Sequence, residues 1–149
     1  MVTTVGTETT LEELLEDLIH LDYDAADAYQ AAIDRLEDRR FRDALAGFKR
    51  DHLRHIGELS DILASMGRPP PKEGDMKGIL AKGKVAIGGL MGDESILHAM
   101  RTNEADTNTA YERAVQFDAL PSTTRDVLQR GLEDERRHCQ WILDTLKTF

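Results

Sequence analysis

Four stretches of this chain carry apolar residues that step alternately by four and three, and no other feature constrains the fold as tightly. The first runs Leu11, Leu15, Leu18, Asp22, Ala25, Tyr29, Ala32, Leu36, and the second Phe41, Leu45, Phe48, His52, His55, Leu59, Ile62, Met66. The third runs Leu97, Met100, Glu104, Thr107, Tyr111, Ala114, and the fourth Leu128, Gly131, Glu135, His138, Ile142. That period keeps every member on one face of an α-helix and is incompatible with a strand, where alternate residues change sides. The spacing predicts helices over 8–37, 39–66, 93–118 and 122–147. Thr9 or Thr10 can cap the first helix and Ser122 or Thr123 the last. Gly67, Pro69 and Pro121 supply the stops. Between the two pairs, "MKGILAKGKVAIGGLMG" has helical spacing weakened by five glycines, so a short, frayed helix is expected within a crossover at 68–92. The fold class is all-α: two antiparallel hairpins and a long crossover, forming a four-helix bundle in a single domain over residues 1–149, with residues 1–7 expected to be disordered.

Composition removes several functions from consideration. Net charge is −9, so the long-range field repels a polyanion and nucleic acid is not an expected partner. No apolar run approaches the ~20 residues of a membrane span. The single cysteine, Cys139, has no internal partner, and "MVTTVGTETT" has neither the basic start nor the apolar run of a secretory signal. The expectation is a soluble, cytoplasmic protein.

The polar interruptions of the stripes carry the chemistry. Asp22 precedes the first turn, near residue 38, by sixteen residues, and His52 and His55 follow it by fourteen and seventeen. Glu104 precedes the second turn, near residue 120, by sixteen, and Glu135 and His138 follow by fifteen and eighteen. At ~1.5 Å rise per residue these positions stand at one height in antiparallel hairpins. The hairpins are also weak repeats: Asp22 is seven residues before Tyr29 as Glu104 is before Tyr111, and "DHLRH" at 51–55 is echoed by "DERRH" at 134–138.

Three carboxylates brought into an apolar interior cost several kcal/mol each unless compensated. A cation compensates them, and carboxylate plus imidazole suits iron, manganese or zinc. The i, i+3 spacing of "ERRH" lets Glu135 and His138 hold the same ion, and "HLRH" offers His52 and His55 at that spacing. The candidate metal ligands are therefore Asp22, His52, His55, Glu104, Glu135 and His138. Asp51 and Asp134 fall beside the stripes and are expected to be solvated. Tyr29 and Tyr111 are either core or chemistry, His20 and His98 surface residues, and Cys139 a packing residue.

Asp22 to Tyr29, Glu104 to Tyr111 and "ERRH" together resemble the ferritin-like superfamily, and the chain over roughly 8–148 looks closest to small bacterial ferritin-like domain proteins. The resemblance implies that Asp22 and Glu104 are terminal ligands, Glu135 a bridge between two metals, and His55 and His138 imidazole ligands. His52 departs from it, standing where a second bridging glutamate would be. With one negative charge fewer, a single ion or a lower total metal charge is expected.

The function implied is a metal-binding protein with one or two ions, iron first and manganese or zinc as alternatives, able to meet dioxygen or peroxide in iron handling or oxidative stress. The alternative is a structural or interaction bundle with a redox-silent zinc or a metal-free polar layer. The apolar "AKGKVAIGGLMG" suggests a homodimer.

Overall fold

The computed structural model describes residues 3–73 and 87–149. Among them are four long helices: α1 (Leu11–Arg35), α2 (Arg39–Ser65), α3 (Asp93–Ala114) and α4 (Ser122–Leu146). All lie within the predicted spans, with ends trimmed by up to four residues. Thr10 is the cap of α1, its hydroxyl accepting from the Glu13 amide at 3.2 Å, and Glu12 and Glu13 sit at the positive end of the helix. Asp38 caps α2 in the same way, accepting from Arg40 N at 2.8 Å. The expected Ser122 or Thr123 cap of α4 is absent. Pro121 takes the cap position and no side chain bonds there, since a proline with φ of −57° already delivers the chain in a helix-compatible direction.

Three contacts establish the topology. Asp93, at the start of α3, accepts from the Glu37 and Asp38 amides, so α3 begins beside the turn that ends α1. Arg113, near the end of α3, donates to the carbonyls of Thr3 and Val5 at the start of the chain. Phe41 meets Trp141 and Phe149, bringing the end of α4 to the start of α2. Hence α2 and α3 run one way and α1 and α4 the other, and the chain between α2 and α3 must return the length of the bundle, about 35–40 Å for helices of this size. The short helix expected in that crossover falls largely on residues 74–86, outside those described. The disorder expected at 1–7 does not extend to residues 3–7: Val5 is buried and Thr3 N bonds to Asp106. Gly6 permits the approach with φ of +103°, where a Cβ would strike Arg113.

α1 packs against α2 and α3, and α4 against α3 and α2, which leaves one axial core. It is divided into two apolar halves. Leu14, Leu15, Leu18, Leu59, Leu63, Leu128 and Leu132 fill one, and Ala32, Leu45, Phe48, Ile96, Leu97, Met100 and Ile142 the other. Between them lies a polar layer. Among the described residues no helix is long and apolar enough to cross a membrane.

Candidate metal centre

Every stripe residue that interrupts the apolar pattern lands in this layer. Asp22, His52, His55, Glu104, Glu135 and His138 are each at most 3% exposed. Burial follows from the helical period: each replaces a leucine-type position, so folding drives the charged groups inward with their apolar neighbours. Their ligand atoms gather into two sets, Asp22–His52–His55–Glu135 and His52–Glu104–Glu135–His138, each with one atom per residue lying within 4.8 Å of the others.

The distances inside the sets are informative. In the first, His55 Nδ1 is 3.2 Å from Asp22 Oδ1 and 3.6 Å from Glu135 Oε1, and His52 Nδ1 is 2.8 Å and 3.5 Å from the same oxygens. In the second, Glu104 Oε1 is 3.5 Å from His138 Nδ1 and 3.7 Å from His52 Nε2, while Glu135 Oε2 is 3.6 Å from His138 Nδ1. Four ligands ~2.1 Å from a shared ion at the corners of a tetrahedron are separated by about 3.4 Å. Most of these pairs are too long for hydrogen bonds and the right length for edges of a coordination shell. The donors also fit an ion by their lack of other partners. Among the described residues, both oxygens of Glu135, His52 Nε2 and His138 Nδ1 are buried and meet no hydrogen-bond partner, a condition that costs about 1–3 kcal/mol per group and more for a charge.

The surrounding shell corrects the expectation for Asp51 and Asp134. Their side chains are only 19% and 15% exposed, and they are the outer partners of the histidines. His138 Nε2–H donates to Asp51 at 2.8 Å and His55 Nε2–H to Asp134 at 2.9 Å, which leaves both Nδ1 atoms facing inward. Arg137 and Arg54 clamp the same aspartates, Arg137 on Asp51 at 2.7 Å and Arg54 on Asp134. Each pentapeptide therefore supplies a histidine to the layer and the aspartate that orients the histidine of the other. The tyrosines cross in the same manner. Tyr29 donates to Glu104, in the opposite hairpin, and Tyr111 donates to Asp22 at 2.7 Å.

Asn108 and Thr107 join the site without having been expected there. Thr107 Oγ1 lies 3.3 Å from Glu104 Oε2, and Asn108 donates to the main-chain oxygens of Glu104 and Glu135, at 2.8 and 3.1 Å, tying α3 to α4 at the level of the polar layer. Thr107 stands on the third stripe, which is a signal, whereas Asn108 is set off it. His98 is exposed as expected. His20 is half-buried with an unpartnered Nδ1, and Cys139 is half-buried with its thiol pushed up by burial.

Burial and the neighbouring carboxylates act on the histidines of the layer in opposite directions. Burial pulls the histidines down, but Asp22 and Asp134 outweigh it at His55, raised to about 9, and Asp51, Glu104 and Glu135 at His138, raised to about 10. Burial opposes Asp51 ionising, yet the His138 and Arg137 contacts hold it near 2. Glu135 goes the other way: burial and then the Glu104 charge raise it, against the pull of His52 and His138. Burial also raises both tyrosines well above the usual range, with Glu104 adding to the effect at Tyr29 and Asp22 at Tyr111. Protons and a metal ion compete for the same nitrogen and oxygen atoms.

Fold and site together define a class: a four-helix bundle with a buried histidine–carboxylate layer that could hold a metal ion. The family model described as Domain of unknown function (DUF2383) matches residues 10–117. This chain belongs to that family. The match covers α1 to α3 and ends before α4, the helix of Glu135 and His138. No curated protein and no solved structure matches the chain.

Proposed function

We propose that this protein is a non-haem metal protein of the ferritin-like type, with iron as the resident ion in Asp22, His52, His55, Glu104, Glu135 and His138. The observation that carries the reading is the set of buried donor atoms without partners, both oxygens of Glu135 above all. A protein gains nothing by burying a carboxylate between imidazoles unless a proton or a cation meets it. The resemblance of Asp22, Tyr29, Glu104, Tyr111 and "ERRH" to the ferritin-like superfamily directs the choice to iron, with manganese next.

Bound iron would supply one-electron redox chemistry toward dioxygen or peroxide, as expected of a role in iron handling or oxidative stress. The chain's own residues do the rest. Asp51 and Asp134 hold the Nε2 protons of His138 and His55, so that Nδ1 is the free donor of each ring. Tyr29 and Tyr111 hold protons against the terminal carboxylates and are the nearest phenols to the layer. Leucines and Phe48 on either side exclude water.

A second reading is favoured by the several donor–donor separations near 3.5 Å: zinc held in a closed, redox-silent site that ties the hairpins together. One experiment addresses both. Iron, manganese and zinc are measured in protein purified without added metal, beside His138→Ala and Glu135→Ala. Iron-loaded protein is then titrated with hydrogen peroxide. Iron that is lost in both variants and oxidised by peroxide supports the first reading, and tightly held zinc alone supports the second. Equal, negligible metal in all three proteins after reconstitution overturns both.

A further inference from the structure

His52 is unlike the other ligands in having both ring nitrogens inside the layer. Nδ1 lies 2.8 Å from Asp22 Oδ1 and 3.5 Å from Glu135 Oε1, while Nε2 lies 3.7 Å from Glu104 Oε1 and meets no hydrogen-bond partner among the described residues. Its ring is at 0% exposure, and it belongs to both four-residue sets. His55 and His138 each spend Nε2 on an aspartate outside the layer, and among the described residues no such aspartate faces His52. Among the described residues, Glu135 is the other one shared by both sets.

We infer that His52 is an imidazolate bridge, binding one divalent metal ion through Nδ1 and a second through Nε2, with Glu135 spanning the same two ions. The inference rests on the metal-binding reading above and adds the number of ions, their link and their separation. On loading, every ring N–H bond that His52 carries breaks, one in the neutral ring and two in the imidazolium, each proton leaves to bulk water and each freed nitrogen lone pair is given to an ion; no electron is transferred.

Charge supports the bridge. Asp22, Glu104 and Glu135 carry three negative charges, one fewer than two divalent ions require for a neutral buried centre. Deprotonated His52 supplies the fourth, where a neutral histidine would leave a net charge in a buried interior. Geometry then sets the spacing. Metal–nitrogen bonds of ~2.1 Å on both sides of an imidazole ring put the ions about 6 Å apart, against the 3.5–4 Å of common two-metal sites. One water or hydroxide oxygen cannot touch both at that distance. The centre is a pair of tethered single-ion sites, each with one terminal carboxylate and one terminal imidazole.

The test loads metal-free protein with copper(II), which heads the divalent affinity order and carries one unpaired electron. Bound copper and the electron paramagnetic resonance signal are followed through two equivalents. The expected result is two coppers per chain, with the signal rising through the first equivalent and falling through the second as the bridged spins couple. In His52→Gln, whose amide cannot link two ions, the second copper should bind at least tenfold more weakly and the signal should track bound copper. Two uncoupled coppers in the unaltered protein, a single copper, or a His52→Gln protein that behaves like the parent would overturn the bridge while leaving metal binding intact. No copper bound at all would instead overturn the metal reading. If His52→Gln fails to fold, the copper–copper distance read from the dipolar splitting of the unaltered protein at two equivalents decides: about 6 Å supports the imidazole bridge, and the 3.5–4 Å of common two-metal sites overturns it.

Discussion

Gly131→Ala is a substitution whose sign separates local preference from the packing of the site. Gly131 is buried in the middle of α4, where alanine is the better helix former by about 1 kcal/mol. A Cβ at this position, however, would lie 2.5 Å from Tyr111 Cε1, 3.0 Å from Cδ1 and 3.3 Å from Cζ. Tyr111 is 1% exposed, its ring stands 5.4 Å from that of His55, and its hydroxyl donates to Asp22 Oδ2 at 2.7 Å. Ordinary contact requires the ring to move by about 1 Å, and a buried ring held at both ends has nowhere to go. Overpacking costs about 1–3 kcal/mol. Losing a hydrogen bond to the charged Asp22 costs about 1.5–3 kcal/mol more. Set against the helix gain, the net is a destabilisation of about 1.5–5 kcal/mol, read from the urea midpoint of metal-free protein at constant m-value. Tyr111→Phe should lose only the hydrogen-bond part. Because both changes act through one contact, the double variant should be milder than the sum of the two. A Gly131→Ala protein more stable than the parent by about 1 kcal/mol would refute the reasoning, leaving helix propensity as the whole effect.

Asp51→Asn should weaken metal binding at the ion held by His138, and Asp134→Asn at the ion held by His55, each by about 10–100-fold, because the histidine loses the anion that fixes its tautomer; competition against a chelator measures both, and unchanged affinities would return the aspartates to the solvent. Metal-free protein should lose stability as pH rises from about 6.5 toward 10. His55 and His138 are raised to about 9 and about 10, so the stability they add is full below the unfolded value near 6.5 and gone once they deprotonate in the fold; a urea midpoint at pH 10 equal to that at pH 7 would contradict this. Thr10→Ala should cost about 1 kcal/mol by exposing the Glu13 amide to loss of its cap, seen as a lower urea midpoint with no change in metal affinity.

The period of the stripes was enough to determine the four helices and the face that each buries. Leu15, Leu18, Asp22, Ala25, Tyr29, Ala32 and Leu36 were marked by spacing, and all are buried. Amphipathicity is a local property, carried by residues three and four apart, so it can be read before any tertiary contact exists. The same reasoning placed six candidate ligands at one height, since rise per residue is constant and the hairpins are antiparallel. Residues off the stripe could not be resolved this way. Asp51 and Asp134 sit where a helix turns from core to water, and whether such a position is wet depends on the neighbouring helix. Here α2 and α4 lie side by side in opposite directions, so each aspartate meets the histidine of the other. The exchange of Tyr29 and Tyr111 between hairpins, the space that Gly131 leaves for Tyr111 and the two-sided exposure of His52 to both ligand sets have the same origin. Each depends on the rotation and separation of helices distant in sequence. Side-chain packing across the whole core sets those quantities, and no window of one helix contains them.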